Sequence, residues 1–401
     1  MNELASLGLI LLFALLAGHL VKELRIPEVT GYLLAGMVLG PSGVGWVDAA
    51  NLDALEVVSE VTLGLILLSV GSVFEADRFR DRGGRVVGLT LAESLLASLL
   101  VGGGLTLLGL PWQAALLLGA MAIETAPGST LMVIRECRGS GPVSQTLLGV
   151  IAVNNVCCLM VFSVVASIID VTGSGTSSPW EGLYVVSHSI VWQVGASAAL
   201  GYLVGLVLAF LAIRATEHGE LLMLLAGVVL VCVGVAHWLE LSPLVAALAV
   251  GATMVNLSRQ SHELLDALAR TDPPLYAIFF VLAGADLDVG AIGSMGLVGA
   301  YYLAARMAGK LAGARLGARV LGFEPVVHRW LGVGLLAQAG LAVGLTLAVG
   351  RRFPEHAAIV NTVVLAAVVV YEIIGPLGTR LAIVRSGEAQ ADPGERVDEL
   401  I

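Results

Sequence analysis

Apolar runs of about twenty residues follow one another along this chain, separated by short clusters of charge, and that pattern leaves few folds open to it. A bilayer core about 30 Å thick takes about 20 helical residues to cross, and it holds no water to satisfy a backbone N–H or C=O. Runs of this length therefore read as membrane-spanning helices. Thirteen are found, at approximately 4–21, 27–44, 55–73, 86–108, 112–134, 143–169, 183–213, 221–239, 244–257, 275–287, 290–313, 330–350 and 357–377. Composition agrees, with 13% charged residues where soluble domains carry about 25%, and a mean hydropathy of +0.92. The predicted fold is an all-α polytopic membrane protein with about 13 transmembrane helices.

An odd number of spans puts the termini on opposite faces, and Lys and Arg then choose the orientation. Seventeen of the 21 Lys and Arg residues fall on the face shared with the C-terminus, including Arg25, Arg78, Arg80, Arg82, Arg270 and Arg396, and the opposite face has only Arg351 and Arg352. The expectation is a plasma (inner) membrane protein with an external N-terminus and a cytoplasmic C-terminus. Met1-Asn2-Glu3 lacks the basic stretch of a cleavable signal peptide, and only a short polar tail follows Leu381, so neither a leader nor a soluble regulatory domain is expected. Without a basic patch, the formal charge of −10 gives a nucleic-acid partner nothing to bind. Cys137, Cys157, Cys158 and Cys232 have neither zinc nor disulfide spacing and read as packing residues. His19, His188 and His237 stand singly or near span ends.

Thirteen spans divide into six, a linker and six, the pattern of an inverted-topology repeat, although the halves share no convincing sequence identity. Two polar features lie deep in this frame. Glu124 comes about twelve residues into the fifth run, and Asn154 and Asn155 about eleven residues into the sixth, roughly 16 Å from its start. Just after Glu124, Pro127 and Gly128 remove a donor and loosen the helix, so it should break there. The twelfth run, its counterpart, has Gln338, Gly340 and Gly344 instead. Two interrupted helices at matching places point to a transporter site, since half-helix ends present backbone dipoles to an ion. Plainer readings exist for some of these residues: Pro127-Gly128 as a kink, Asn154 and Asn155 as interhelical glue, Lys310 as a snorkelling cation. Glu124 is harder to dismiss, because an ionisable group at that depth is costly unless paired, protonated or ion-bound. Glu93 and Glu372 are also embedded in apolar runs, and Arg306 or Lys310 could pair with either.

At this point the chain resembles the monovalent cation/proton antiporter superfamily, in particular its Kef-type and NapA-like branch. The resemblance spans nearly the whole chain and is clearest in Leu24 to Gly36 followed by Leu39-Gly40-Pro41, in Phe279 to Asp288, and in Arg306-Met307-Ala308-Gly309-Lys310. It implies a homodimer working by alternating access, with crossing broken helices at spans five and twelve. It also implies dimerisation-domain helices over 1–85 and 221–288, core-domain helices over 86–170 and 289–381, a linker helix over 171–220 and a polar cytoplasmic tail over 382–401. Family members usually have an Asp-containing pair where this chain has Asn154-Asn155, and a small residue where it has Glu124. Lys310 matches a lysine that is often salt-bridged to the first Asp of that pair.

The expected function is a secondary transporter, not an enzyme, exchanging Na⁺ (or K⁺) for H⁺ without a cofactor, with the lipid bilayer as its surroundings. Glu124 would bind the proton or the cation, and Thr125, Asn154 and Asn155 would offer neutral oxygen ligands of the kind hard cations favour, with Glu124 and Asn155 foremost at the cation. Lys310, Arg306 and Glu372 are expected as supporting charges, and Pro127, Gly128, Gln338 and Gly340 as the breaks. With a positive Lys310 and half-helix N-termini, the same fold could instead carry an anion or a zwitterion. A third reading is a sensor that binds without transporting.

Overall fold

A computed structural model describes residues 3–24, 26–173, 191–215, 217–288 and 290–390. Arg25, His188, Arg396, the start of the expected seventh span at 183–190 and the tail from 391 lie outside the described residues, as do the side chains of Arg78, Arg80, Arg82 and Arg270.

Among the described residues the chain is helical throughout, without strands. In chain order the helices are α1 (Glu3–Glu23), α2 (Glu28–Leu39), α3 (Ala49–Gly71), α4 (Ala76–Leu107), α5 (Trp112–Met121), α6 (Pro127–Glu136) and α7 (Pro142–Gly173). A π-helical turn, Val191–Ala196, leads into α8 (Ser197–Ala212), followed by α9 (His218–Trp238), α10 (Pro243–Leu257), α11 (Ser261–Asp286) and the short α12 (Gly290–Ser294). The last helices are α13 (Gly296–Val320), α14 (Pro325–Gly334), α15 (Gly340–Arg352) and α16 (Pro354–Arg385). By length and composition six of these can cross a membrane: α1, α4, α7, α8 with its π turn, α9 and α16. Shorter apolar helices, including α2, α5 and α10, lie among them.

The distribution of polarity is the reverse of a soluble protein's. Arg306 and Lys310 are wholly buried, while Leu107 and Val320 are 90% and 84% exposed. Large apolar side chains on the outside suit a hydrocarbon solvent, in which helices associate through close packing of small residues. Gly309, Gly313 and Gly317 form such a stripe on α13, spaced four apart and turned toward α4. A Cβ on Gly309 would lie 2.4 Å from Ala97 Cα, and one on Gly313 2.6 Å from Glu93 Cα. This approach brings the Glu93 backbone against α13 and so sets the reach of the Lys310 side chain.

Three details differ from the sequence expectation. The basic stretch 78–85 is not a loop but the first turns of α4, which starts at Ala76. The second interruption falls at 335–339, so Gly344 sits inside α15, whereas Gly340 is its first residue. The tenth expected span is the end of α11, which runs through Pro273 and Pro274.

The glycine stripe gives a direct check on this packing. Gly313→Leu should destabilise the purified protein by about 1–3 kcal/mol through overpacking, seen as a lower unfolding temperature in detergent. An unchanged unfolding temperature would mean that α4 and α13 do not meet there.

Candidate functional site

Each interrupted helix leaves carbonyls without an i+4 partner at the C-terminus of its first half. α5 stops at Met121, and α6 begins with Pro127 at its first position, where the missing N–H costs nothing. α14 stops at Gly334 and α15 begins at Gly340 after the non-helical Ala339. The two interruptions, 122–126 and 335–339, touch each other, with Ala126 N–H donating to Ala337 O at 3.1 Å.

Arg306 and Lys310 of α13 supply the missing donors. The Arg306 guanidinium donates to four carbonyls: Ala122 O from Nε at 3.2 Å, Leu336 O from Nη1 at 2.7 Å, and Glu124 O and Ala337 O from Nη2 at 2.6 and 3.2 Å. Its carbon lies 4.2 Å from the centre of the Tyr371 ring on α16. Lys310, one turn on, donates to Ile123 O and to Thr125 Oγ1 and forms a fully buried ion pair with Glu93 Oε2 at 2.9 Å. Gln338 Nε2 donates to Met121 O at 3.0 Å. Placing two cations at the C-terminal ends of two half-helices also matches the sign of the helix dipole.

Glu124 lies inside this knot and is 0% exposed. Neither cation reaches its carboxylate. Arg306 takes only its backbone carbonyl, and the carboxylate oxygens accept from Ala339 N–H at 3.2 and 3.4 Å, at the entrance to α15. The side chain of the first interruption thus caps the second.

The two asparagines separate, because successive residues on a helix point about 100° apart. Asn154 Nδ2 donates to Glu93 Oε1 at 2.5 Å and to Ser94 Oγ at 3.1 Å, which places it in the Lys310 cluster. Asn155 Nδ2 donates to Thr125 O at 3.2 Å, and Asn155 lines a small cavity of about 20 Å³. Pro127, Gly128, Ser129, Ala339, Gly340 and Glu372 line it too. Glu372 also borders a cleft of about 340 Å³, together with Glu60, Asp286 and the start of α15.

The structure therefore brings Glu124, Thr125, Asn155 and the two interruptions together, and sets Asn154 apart from the cavity. Sequence reasoning left the partner of Lys310 open, and it is Glu93. Glu372, expected beside the cations, pairs with neither Arg306 nor Lys310 and faces the cavity. Its place inside the last apolar run, five residues from the end, was the available signal.

The chain also matches, over residues 8–383, the family described as "Sodium/hydrogen exchanger, transmembrane". It belongs to the sodium/hydrogen exchanger family. Among related members, the Na(+)/H(+)-K(+) antiporter GerN of Bacillus cereus is 24% identical over 91% of this chain and 93% of its own length. The probable Na(+)/H(+) antiporter GerT of Bacillus cereus is 24% identical over 84% and 88% of the two chains. In fold the chain is similar to the sodium proton antiporter MjNhaP1 of Methanocaldococcus jannaschii. One structure of it gives a TM-score of 0.74 at 17% identity, covering 97% of this chain and 99% of that one. A second, determined at pH 8, gives 0.68 at 19% identity, covering 95% of each. As a member of the family the chain is a secondary transporter, and it exchanges cations for protons.

The Lys310–Glu93 pair can be tested within this exchanger by removing its charges singly and together. Leaving one buried charge uncompensated costs about 3–5 kcal/mol, whereas removing both can be nearly neutral. Glu93→Gln and Lys310→Met should each lower the unfolding temperature more than the double variant does. Additive losses in the double variant would mean that the two side chains are not partners.

Proposed function

We propose that this exchanger couples Na⁺ (or K⁺) to H⁺ through Glu124, which binds the two ions in turn. The observation that carries this is the carboxylate itself: fully buried between two helix interruptions, held by one backbone N–H and by no cation. A carboxylate in that position is costly as a bare charge and is neutralised by either a proton or a monovalent cation. Each cation that binds then displaces the proton, which couples the two flows. Thr125 and Asn155 lie next to Glu124 and support it as neutral oxygen donors or as spacers, and Asn155 faces the cavity by which an ion arrives.

The rest of the architecture is read in the same terms. Thirteen crossings result if α5 with α6 and α14 with α15 each count as one interrupted span and α12 as a connection. An inverted repeat then relates the six spans before α8 to the six after it. Helices of 86–170 and 289–381 form the moving core, those of 1–85 and 221–288 the dimerisation domain of a homodimer, and 171–220 the linker. The positive-inside rule sets the C-terminus in the cytoplasm, which makes the cleft beside Glu372, Glu60 and Asp286 an external vestibule. Motifs around Gly36 and Lys310 support placement in the Kef-type and NapA-like branch. The anion reading loses its main support, because the charge of Lys310 is matched by Glu93 and that of Arg306 is spread over four carbonyls.

In proteoliposomes loaded with a pH-sensitive dye, Glu124→Gln should abolish Na⁺-dependent proton movement while the protein stays folded, because an amide keeps the shape but releases no proton. Exchange at the wild-type rate by this variant would remove Glu124 from the mechanism.

A further inference from the structure

Glu372 stands on α16 near the middle of a 32-residue helix, where a charged side chain has no ordinary structural use. It is 3% exposed, and its Oε1 is buried without a hydrogen-bond partner. Buried carboxylate oxygens rarely stay unpaired, since each forfeits the hydrogen bonds that water would supply. A second buried polar atom lies in the same wall. Ser129, in the first turn of α6, is 1% exposed, and its Oγ has no partner apart from the Glu372 carboxylate that it approaches. Both residues line the small cavity of about 20 Å³, and Asn155 lines it with them.

The surroundings of this cavity suit an ion. Pro127 and Gly128 open α6 there and Ala339 and Gly340 open α15, so two half-helix N-termini converge on it. Among the described residues, neither of the two buried cations nearby pairs with Glu372, because their hydrogen bonds go to carbonyls, to Thr125 and to Glu93. One turn before Glu372, Val368 borders the larger cleft, so this face of α16 looks into the route that also passes Glu60 and Asp286. Glu372 borders both spaces and so stands where the open cleft meets the small cavity.

We propose that Glu372 is a ligand of the transported cation, forming with Ser129 Oγ and Asn155 Oδ1 an all-oxygen site for a hard monovalent ion beside Glu124. Oxygen donors are the set such cations select. One cation among two carboxylates leaves a negative charge over, and the N-termini of α6 and α15 face it with the opposite partial charge. The pairing of Ser129 and Glu372 across the cavity accounts for two buried polar atoms that the fold otherwise leaves unused. This inference rests on the exchange reading above but gives Glu372 a distinct part in it, holding the cation while Glu124 trades it for the proton.

The test is Na⁺-driven proton movement in proteoliposomes at alkaline pH, titrated with NaCl against choline chloride at constant ionic strength. Glu372→Gln should raise the KM for Na⁺ at least tenfold while exchange persists at saturating Na⁺, with Glu372→Asp in between and Ser129→Ala raised several-fold. A wild-type KM in Glu372→Gln overturns the proposal, even with a lowered unfolding temperature, because a merely structural residue changes stability and not affinity. If Glu372→Gln does not yield folded protein, wild-type KM values in both Glu372→Asp and Ser129→Ala overturn it instead. Failure of the Glu124 reading looks different, since it requires exchange by Glu124→Gln whatever Glu372 does.

Discussion

Everything at this site depends on one guanidinium. Two helices stop in the middle of the protein, and their last carbonyls would face an apolar interior without partners, at a cost of several kcal/mol each in a bilayer. Arg306 reaches carbonyls of both interruptions at once and is itself held against the ring of Tyr371. Ile123 O goes to Lys310 and Met121 O to Gln338. With the C-terminal ends of α5 and α14 bound in this way, the N-terminal ends of α6 and α15 are free to face the cavity. Both half-helices are fixed to α13, so core helices that move would carry the site with them as a unit.

The substitution pattern around α7 follows from the same electrostatics. A buried lysine needs a buried acid, and the resemblance implies that in members with an Asp-Asp pair it is often supplied from the position that is Asn154 here. In this chain the acid comes instead from Glu93 on α4, brought close by the glycine stripe of α13, and Asn154 has become a donor to that acid. The charge balance around Lys310 is thereby kept with a different helix providing the carboxylate. Asn155 leaves α7 without any acid at the cavity, and the carboxylate that lines it comes from α16, while Glu124 of the first interruption is buried without lining it.

Much of this was legible in the sequence. Long apolar runs identified the helical membrane fold, and Pro127-Gly128 located the first interruption to within a few residues. The second was placed less well because glycine permits a break without requiring one: Gly340 borders it, yet Gly344 continues the helix. Side-chain direction was harder still. Depth along a helix can be counted in residues, but which way Asn154, Asn155 or Glu372 points depends on helix rotation against neighbours distant in sequence. For that reason the pairing of Lys310 with Glu93, 217 residues earlier, stayed open until both helices were in place. The capping of carbonyls by Arg306 was equally hidden, since it involves backbone atoms common to every residue.

The central claim is that a cation and a proton compete for the same buried carboxylate. It is tested most directly by titrating the purified exchanger with NaCl in weakly buffered detergent solution, following Na⁺ binding and released protons together at a series of pH values. Competition predicts proton release on binding and, on the acid side, an apparent Na⁺ affinity that falls by about tenfold per pH unit. Na⁺ binding with the same affinity at every pH and without proton release would contradict it.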